Sequence, residues 1–474
     1  MNNKLVKEIT SRDTDFAKWY TDVCLKAELM DYSYVKGFII YRPYGYAIWE
    51  NIQDYLNKKF KETNHQNVYL PLLIPESLFQ KEKDHVEGFA PETAMVTTTG
   101  VEDLTERLII RPTSEVLFCE HYKKIISSHR DLPKLYNQWC SVVRWEKTTR
   151  PFLRGSEFLW QEGHTAHSNK EEAKEETLRM LDIYNKMGSE LLAVPFVTGR
   201  KTEKEKFAGA LETYSIEALM HDGKALQSGT THYFGQEFSK AFDITFTNKE
   251  NKLEHVYQTS WGVSTRLIGA VIMVHGDDSG LVLPPYVAPT QVIIIPIQSK
   301  LPIVLDACNK LYEDLKSLGL RVEFDNSDKS PGWKFSESEM KGIPVRIEIG
   351  PKDLEKGEVT LFKRYNREKS TFKIEDIKDN INNILNDIHQ NMLKAAKVHV
   401  SKNTRTAKTY DDFKEMIDLG GYVKMSISGE EAELIIKKDT TATARVILDE
   451  PVVTKICPVT NKKATQTILF ARAY

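Results

Sequence analysis

The sequence predicts a mixed α/β protein of several domains, with antiparallel strands in its N-terminal part and an α/β unit further on. Three observations carry this. Residues 144–167 hold two arms rich in aromatic and large side chains around a turn-prone centre, Lys147 to Arg150 and then Pro151. That is the pattern of two antiparallel strands joined by a long polar loop. From Gln291 onward, short apolar runs alternate with helical stripes, the signature of an α/β unit. Between the two regions, Pro284, Pro285 and Pro289 mark a linker.

The whole chain narrows the function classes. Its 474 residues suggest about two to four domains. A hydrophobic fraction of 41% supports ordinary globular cores. A formal net charge of -2 excludes a bulk polyanion binder, so contact with nucleic acid must come from a local basic face. Cys24, Cys119, Cys140, Cys308 and Cys457 are scattered and form no Cys-x-x-Cys pair. This suits a cytoplasmic, reducing setting and argues against a disulfide framework. The polar start, Met1 to Lys4, has no signal-peptide core, and no run of about 18 apolar residues predicts a membrane span.

The elements follow in order. Phe16, Trp19, Tyr20, Val23 and Leu25 give a helix within 8–30. Tyr34 to Tyr41 alternates as a short strand. Arg42-Pro43 opens a second helix, with Tyr46, Trp49, Ile52, Tyr55 and Leu56 toward a core. Val68 to Pro75 reads as a strand whose Pro71 favours an edge or interface. Arg107 to Arg111 is strand-like and runs through Pro112-Thr113-Ser114-Glu115 into a helix. Residues 170–193 form a helix with a solvated Lys/Glu face. Lys201 to Phe207 is a loop or helix end before Gly209. Ser260 to Gly262 ends a strand, and a helix runs to Val274 with Ser264 and Thr265 at its anion-attracting start. Beyond the linker, Val292 to Ile295 reads as a buried parallel strand. A helical stripe from Val304 to Leu318 follows, then strands at Val322 and Ile343 and a long amphipathic helix through Ile377 and Met392.

Chemistry concentrates at a few places. Arg144 and Glu146, two apart, share one face of the first arm; Arg154 and Phe158 return on the second. A guanidinium fork matches phosphate oxygens and an aromatic face suits a purine, so one hairpin can hold both ends of a nucleotide. A surface hairpin laced by Arg–Glu pairs is the plainer alternative. Thr113 and Glu115 at a strand end suit a ligand amine, or else simply start a helix. Gln227, Thr230 and His232 cluster around Gly229. Residues 341–369 hold eight basic and five acidic residues with Phe362 and Tyr365 interleaved, which fits either a modest nucleic-acid face or a solvated surface.

Arg-x-Glu, a loop and Arg-x-x-x-Phe together resemble motif 2 of the class II aminoacyl-tRNA synthetases. The following Trp160-Gln161-Glu162-Gly163-His164-Thr165-Ala166-His167 resembles the version found in prolyl-tRNA synthetases. Val68 to Pro75 is similar to motif 1, which implies a homodimer. Gly262 to Arg266 is similar to motif 3. Nearly the full length is covered, with Gly155-Ser156 standing where the family often has Thr-Arg. The resemblance implies a class II antiparallel catalytic sheet at 1–285, an anticodon-binding domain at 286–398 and a C-terminal domain at 399–474. The implied activity is ATP-dependent attachment of proline to tRNA(Pro) through a prolyl-adenylate, with Mg²⁺.

The resemblance assigns Arg144 and Arg266 to catalysis. It gives ATP Arg144, Glu146, Arg154, Gly155, Phe158, Gln227, Thr230, Ser264 and Arg266. It gives proline Thr113, Glu115, Arg144, Trp160, Glu162, His164, Phe207, His232 and Ser260. Glu217 and Gln227 are the candidates for Mg²⁺, and Glu339, Arg346, Lys352 and Asp353 those for anticodon bases. Several relatives carry a four-cysteine zinc site in the tail; here Cys457 stands without its partners, so no structural zinc is expected. Tyr474 resembles the family's terminal tyrosine, whose carboxylate lies near the active site. Arg144 and Arg266 are 122 positions apart, too close for an editing insertion. A class II synthetase for another small amino acid, or a silent tRNA-binding paralogue, remains an alternative reading.

Overall fold

One sheet of eleven strands organises the molecule. The computed structural model describes residues 9–85 and 92–474, so the polar start at Met1 to Lys4 lies outside the described residues. From one edge the strands run Thr404–Thr406, Tyr422–Ile427, Gln466–Ala471, Thr443–Leu448, Val197–Arg200, Glu212–Leu219, Ala225–Gly235, Tyr257–Ser264, Glu157–His167, Lys134–Val143 and Gln66–Asn67. The strands from Val197–Arg200 to Lys134–Val143 are antiparallel throughout.

Side chains alternate across a strand, so each of these sequences writes two faces. One face carries Ile216, Leu226, Trp261 and Val263 into a core shared with helices Phe16–Lys26, Pro43–Glu62, Lys170–Met187 and Arg266–His275. The other face is polar and forms the floor of the cleft described below. Trp261, 1% exposed, explains one glycine: a Cβ on Gly163 would lie 2.1 Å from the indole. The helices start where short polar groups supply acceptors. Asp15 and Asn169 each accept a backbone N–H at 2.9 Å, and Pro43 needs no donor in the first turn of its helix.

A second sheet of five strands holds Val322–Phe324, Val292–Pro296, Val345–Ile349, Glu358–Lys363 and Glu368–Lys373. The first three are parallel and the last two antiparallel. Val292–Pro296 is buried at every position, which accounts for its unbroken apolar run. A charged joint fastens this unit to the first. Arg364, 1% exposed, grips both oxygens of Asp277 at 2.8 and 2.6 Å, and Arg367 reaches Ser279 at 2.9 Å.

The last region has its own core, around Phe413, Val423, Ile436 and Phe470. Its three antiparallel strands join the catalytic sheet where Ile447 pairs with Arg200. Cys457 is buried in that core, in a turn closed by Cys457 N–H to Lys462 O at 2.7 Å and by a Ser428–Thr460 hydroxyl pair at 2.8 Å.

Two expectations shift. The first hairpin strand is Lys134–Val143, so Arg144 and Glu146 follow the strand rather than share its face. Arg144 N still bonds Ser156 O at 2.8 Å, but Trp145 N turns to Glu92 O, and the pairing ends there. Arg154 likewise precedes its strand, Glu157–His167. The segment Val68 to Pro75 is not one strand. Gln66–Asn67 pairs with the large sheet and Leu73–Pro75 with Asp103–Ile110, while Pro71, which has no N–H to donate, lies between.

Burial also fixes charge states. His167, 3% exposed, sits near His65, Glu176 and Arg179, with Nε2 2.8 Å from the Thr165 hydroxyl. Burial pushes its pKa down from 6.5 to about 4, against the pull of Glu176 and Glu172. The unfolded chain therefore binds a proton between those values that the folded chain does not. Stability is complete above the unfolded value and is lost as pH falls toward the folded one. We expect His167→Gln to flatten the pH dependence of unfolding between pH 6.5 and 4.5. The limit is one proton, about 1.4 kcal/mol per pH unit, read from denaturant midpoints.

Candidate active site

The polar face of the sheet is laid out in rows by strand register. Thr213, His232, Ser260 and His164 face one another across four strands; Ser215, Thr230, Gly262 and Glu162 form the next row, and Ser264 pairs with Trp160. Above them lies a cleft of about 300 Å³.

One end is suited to a small cation with an apolar body. Glu115 and Glu162 are 6% and 3% exposed, and their carboxylate oxygens lie within 4.8 Å of each other and of a His164 ring nitrogen. Glu162 is already satisfied: it accepts from Ser114 Oγ at 2.5 Å and Gln138 Nε2 at 3.0 Å, and meets His164 Nε2 at 3.0 Å. Burial alone would raise its carboxyl pKa, but His164, Ser114 and Gln138 hold it below the ordinary value. Among the described residues the Thr113 hydroxyl is the one side-chain donor to Glu115, which leaves acceptor capacity for an amine. The walls are rings. His164 stacks on Phe118 at 4.2 Å, and Phe207 packs 4.7 Å from His232. Burial, reinforced by the His164 charge, lowers His232 to about 3, so it lines the site as a neutral imidazole.

The other end is cationic. Arg144 lies 5.5 Å from the Phe158 ring and 5.3 Å from Trp160, and its Nε donates to Pro112 O at 2.9 Å. Arg266 starts the helix after Ser264 and donates to Leu153 O and Gln227 O, both at 3.1 Å. Burial first, then the charges of Arg144 and Arg154, push its pKa down to about 10. Both arginines are thus held by carbonyl oxygens, with their charge open to an anion.

The cleft brings together most of the residues expected from sequence. Thr113, Glu115, Arg144, Phe158, Trp160 and Glu162 line it, as do His164, Phe207, Gln227, Thr230, His232, Ser260, Ser264 and Arg266. Arg154 and Gly155 instead line an adjoining cavity of about 120 Å³, which shares Phe158. Glu146 follows Arg144 on the hairpin loop, near enough for its charge to act on that guanidinium. Glu217 is fully buried behind the wall, with both oxygens engaged by Lys201 and Arg445, and so does not present a free carboxylate for Mg²⁺. Tyr474 stacks under Arg150 of the hairpin loop at 5.6 Å rather than entering the cleft wall. Lys201 and Thr213 also line the cleft, and sequence reading missed them; Glu205, beside the expected Phe207, lines it too. Lys201 sat in a charged stretch that resembled any surface loop.

The four residues expected at the anticodon are unevenly exposed. Glu339 and Arg346 are 1% and 2% exposed, with Arg346 4.2 Å from both the Phe335 and Phe362 rings. Arg346 pairs with Glu348 at 3.0 Å, and Arg367 with Glu339 at 2.7 Å. Lys352 is exposed, and Asp353 accepts the Gly350 N–H at 3.0 Å.

Comparison with known proteins decides among the readings. Residues 97–275 match the tRNA synthetase class II core domain (G, H, P, S and T), and residues 291–384 match the anticodon binding domain. Residues 410–474 match the prolyl-tRNA synthetase C-terminal family. The chain is 60% identical to the proline–tRNA ligase of Phytoplasma australiense over 99% of each chain. It is 58% identical to that of Ruminiclostridium cellulolyticum over 100% of this chain and 99% of the relative. The chain belongs to the prolyl-tRNA synthetase family. A prolyl-tRNA synthetase from Cryptosporidium parvum, solved with halofuginone and AMPPNP, superposes with a TM-score of 0.94 at 40% identity, covering 98% of this chain and 99% of that one. The synthetase uses ATP to attach proline to tRNA.

If Glu115 reads the imino group, Glu115→Gln removes a charge-assisted hydrogen bond worth about 1.5–3 kcal/mol. The KM for proline then rises on the order of tenfold to a hundredfold in pyrophosphate exchange, with the KM for ATP changed less than about twofold.

Proposed function

We propose that the cleft activates proline in two steps. A carboxylate oxygen of proline attacks the α-phosphorus of ATP, the bond to the bridging oxygen breaks, and pyrophosphate leaves with the electron pair. The terminal ribose hydroxyl of tRNA(Pro) then attacks the prolyl carbonyl, AMP leaves, and the hydroxyl proton passes to solvent. Positioning and charge neutralisation carry most of this chemistry. The observation that supports it is the polarity of one cleft: an acceptor-rich, ring-walled end at Glu115 and a cationic end at Arg144 and Arg266.

Arg144 holds the α-phosphate and the proline carboxylate, Phe158 stacks on adenine, and Glu146 faces its amino edge. Arg154 and Arg266 meet the outer phosphates, with Gln227, Thr230 and Ser264 beside them. Thr113, Glu115 and His232 read the imino group, and Trp160, Glu162, His164, Phe207 and Ser260 shape the ring pocket. Mg²⁺ bound with ATP would neutralise phosphate charge, with Gln227 offering one side-chain oxygen in the wall while Glu217 lies behind it.

tRNA(Pro) docks its anticodon on the five-stranded unit, at Glu339, Arg346, Lys352 and Asp353. Lys352 offers an exposed charge there, whereas a base reaching Glu339 or Arg346 exchanges a base edge for an existing ion pair. The domains divide at 285 and 398. The C-terminal domain is expected to hold no structural zinc, since Cys457 stands without the partner cysteines that a tetrahedral site needs. A homodimer is supported by exposed Tyr69, Leu72, Leu73 and Met95 on or beside the three-stranded sheet. No helix among the described residues is long and apolar enough to cross a membrane. A cytoplasmic setting is supported by five scattered cysteines without a Cys-x-x-Cys pair.

ATP–pyrophosphate exchange tests the substrate. We expect exchange with proline and at least about a hundredfold less with glycine, serine or threonine, because unpaired polar groups in the ring pocket are costly. Exchange driven equally by another amino acid, or none with any, would overturn the reading.

A further inference from the structure

Lys201, Glu217 and Arg445 form a buried charge cluster that the assignments above leave unused. They are 3%, 0% and 6% exposed. Lys201 Nζ donates to Glu217 Oε1 at 2.8 Å, and Ser215 Oγ donates to the same oxygen at 2.9 Å. Arg445 grips Oε2 with Nε at 3.0 Å and Nη2 at 2.7 Å. It lies 228 residues further along the chain, on strand Thr443–Leu448 of the C-terminal region.

Two cations share one carboxylate, so the cluster has a formal excess of one positive charge. Burying such an excess is costly unless an anion meets it. Glu205 adds negative charge nearby, but it is partly exposed at the cleft wall and screened by solvent. The cluster also sits beside the cationic end of the cleft. Glu217 pairs in register with Gln227, whose carbonyl accepts from Arg266, and Arg266 feels the charges of both Glu217 and Arg445. Lys201 itself lines the cleft.

The C-terminal region holds this wall closely. A Cβ on Gly199 would lie 2.7 Å from Val446 Cβ and 2.8 Å from Ile447 O, and Thr202 Oγ1 donates to Glu433 at 2.8 Å.

We propose that Lys201 is a further phosphate-binding residue of the adenylation step and that Arg445, acting through Glu217, is the positioning residue that holds it there. The ligand class is the polyphosphate of ATP and the departing pyrophosphate. This rests on ATP placing its outer phosphates near Arg266. Arg445 claims one oxygen of Glu217 and leaves Lys201 only partly neutralised. Without Arg445 the whole carboxylate charge turns on Lys201 and Arg266 and cancels the field meant for the phosphates.

The test compares full-length wild type with Arg445→Met, Arg445→Lys, Lys201→Met and the double variant Arg445→Met/Lys201→Met in proline-dependent pyrophosphate exchange. Wild type without proline-dependent exchange would sink the functional reading itself. With wild type active, we expect kcat/KM for ATP to fall at least about tenfold in Arg445→Met and in Lys201→Met, while the KM for proline stays within about twofold. Arg445→Lys recovers most of the loss, and the double variant is no worse than the poorer single by more than about twofold, since the groups act as one unit. Unchanged ATP kinetics, an equal loss toward both substrates with a lowered Tm, or fully additive losses would overturn the proposal. Should Arg445→Met fail to fold, Lys201→Met decides alone: an unchanged kcat/KM for ATP refutes it.

Discussion

Two half-buried arginines held by carbonyl oxygens set the terms for the rest of this protein. Arg144 leans on Pro112 O, and Arg266 on Leu153 O and Gln227 O. A carboxylate in either place would make the apo protein more comfortable and the site less useful, because the charge would already be spent. The cost shows in Arg266, whose proton affinity drops through burial beside Arg144 and Arg154. The sheet beneath has to be rigid enough to hold such groups apart while empty. Long paired strands with one face sunk in the Trp261 and Val263 core provide that rigidity.

The small-molecule end solves the opposite problem. There the charges are carboxylates, and Glu162 is fully satisfied by Ser114, Gln138 and His164 while Glu115 keeps capacity to spare. A finished carboxylate stiffens the wall, and an unfinished one keeps acceptor capacity facing the cleft. His232, neutral at working pH, adds a flat surface without adding a competing cation.

Local pattern made some of this legible and left other parts hidden. The Val292 run announced a buried parallel strand because burial on both faces leaves no polar alternation. The string from Phe158 to His167 pointed to one cleft because Phe158, Trp160, Glu162 and His164 alternate along a single strand and so share a face. The strand boundary near Arg144 was not readable, since Trp145 N leaves the ladder for a loop residue, Glu92, that no local rule identifies. Arg445 was invisible for a related reason. Its neighbours, Ala444 and Val446, read as an ordinary strand, and its partner lies in a segment far away in sequence. The burial of Glu339 and Arg346 was equally hidden, because charged side chains in a mixed-sign stretch look solvated until their partners are known.

The pairing of Ile447 with Arg200 makes the tail and the catalytic region a single hydrogen-bonded surface. The C-terminal strands therefore cap what would otherwise be a bare rim of amide and carbonyl groups along Val197–Arg200. A lineage that discarded this tail would have to blunt that rim some other way or risk sticking to its own copies. Edge protection is a duty that depends on backbone alone and is indifferent to which side chains fill the turn around Cys457.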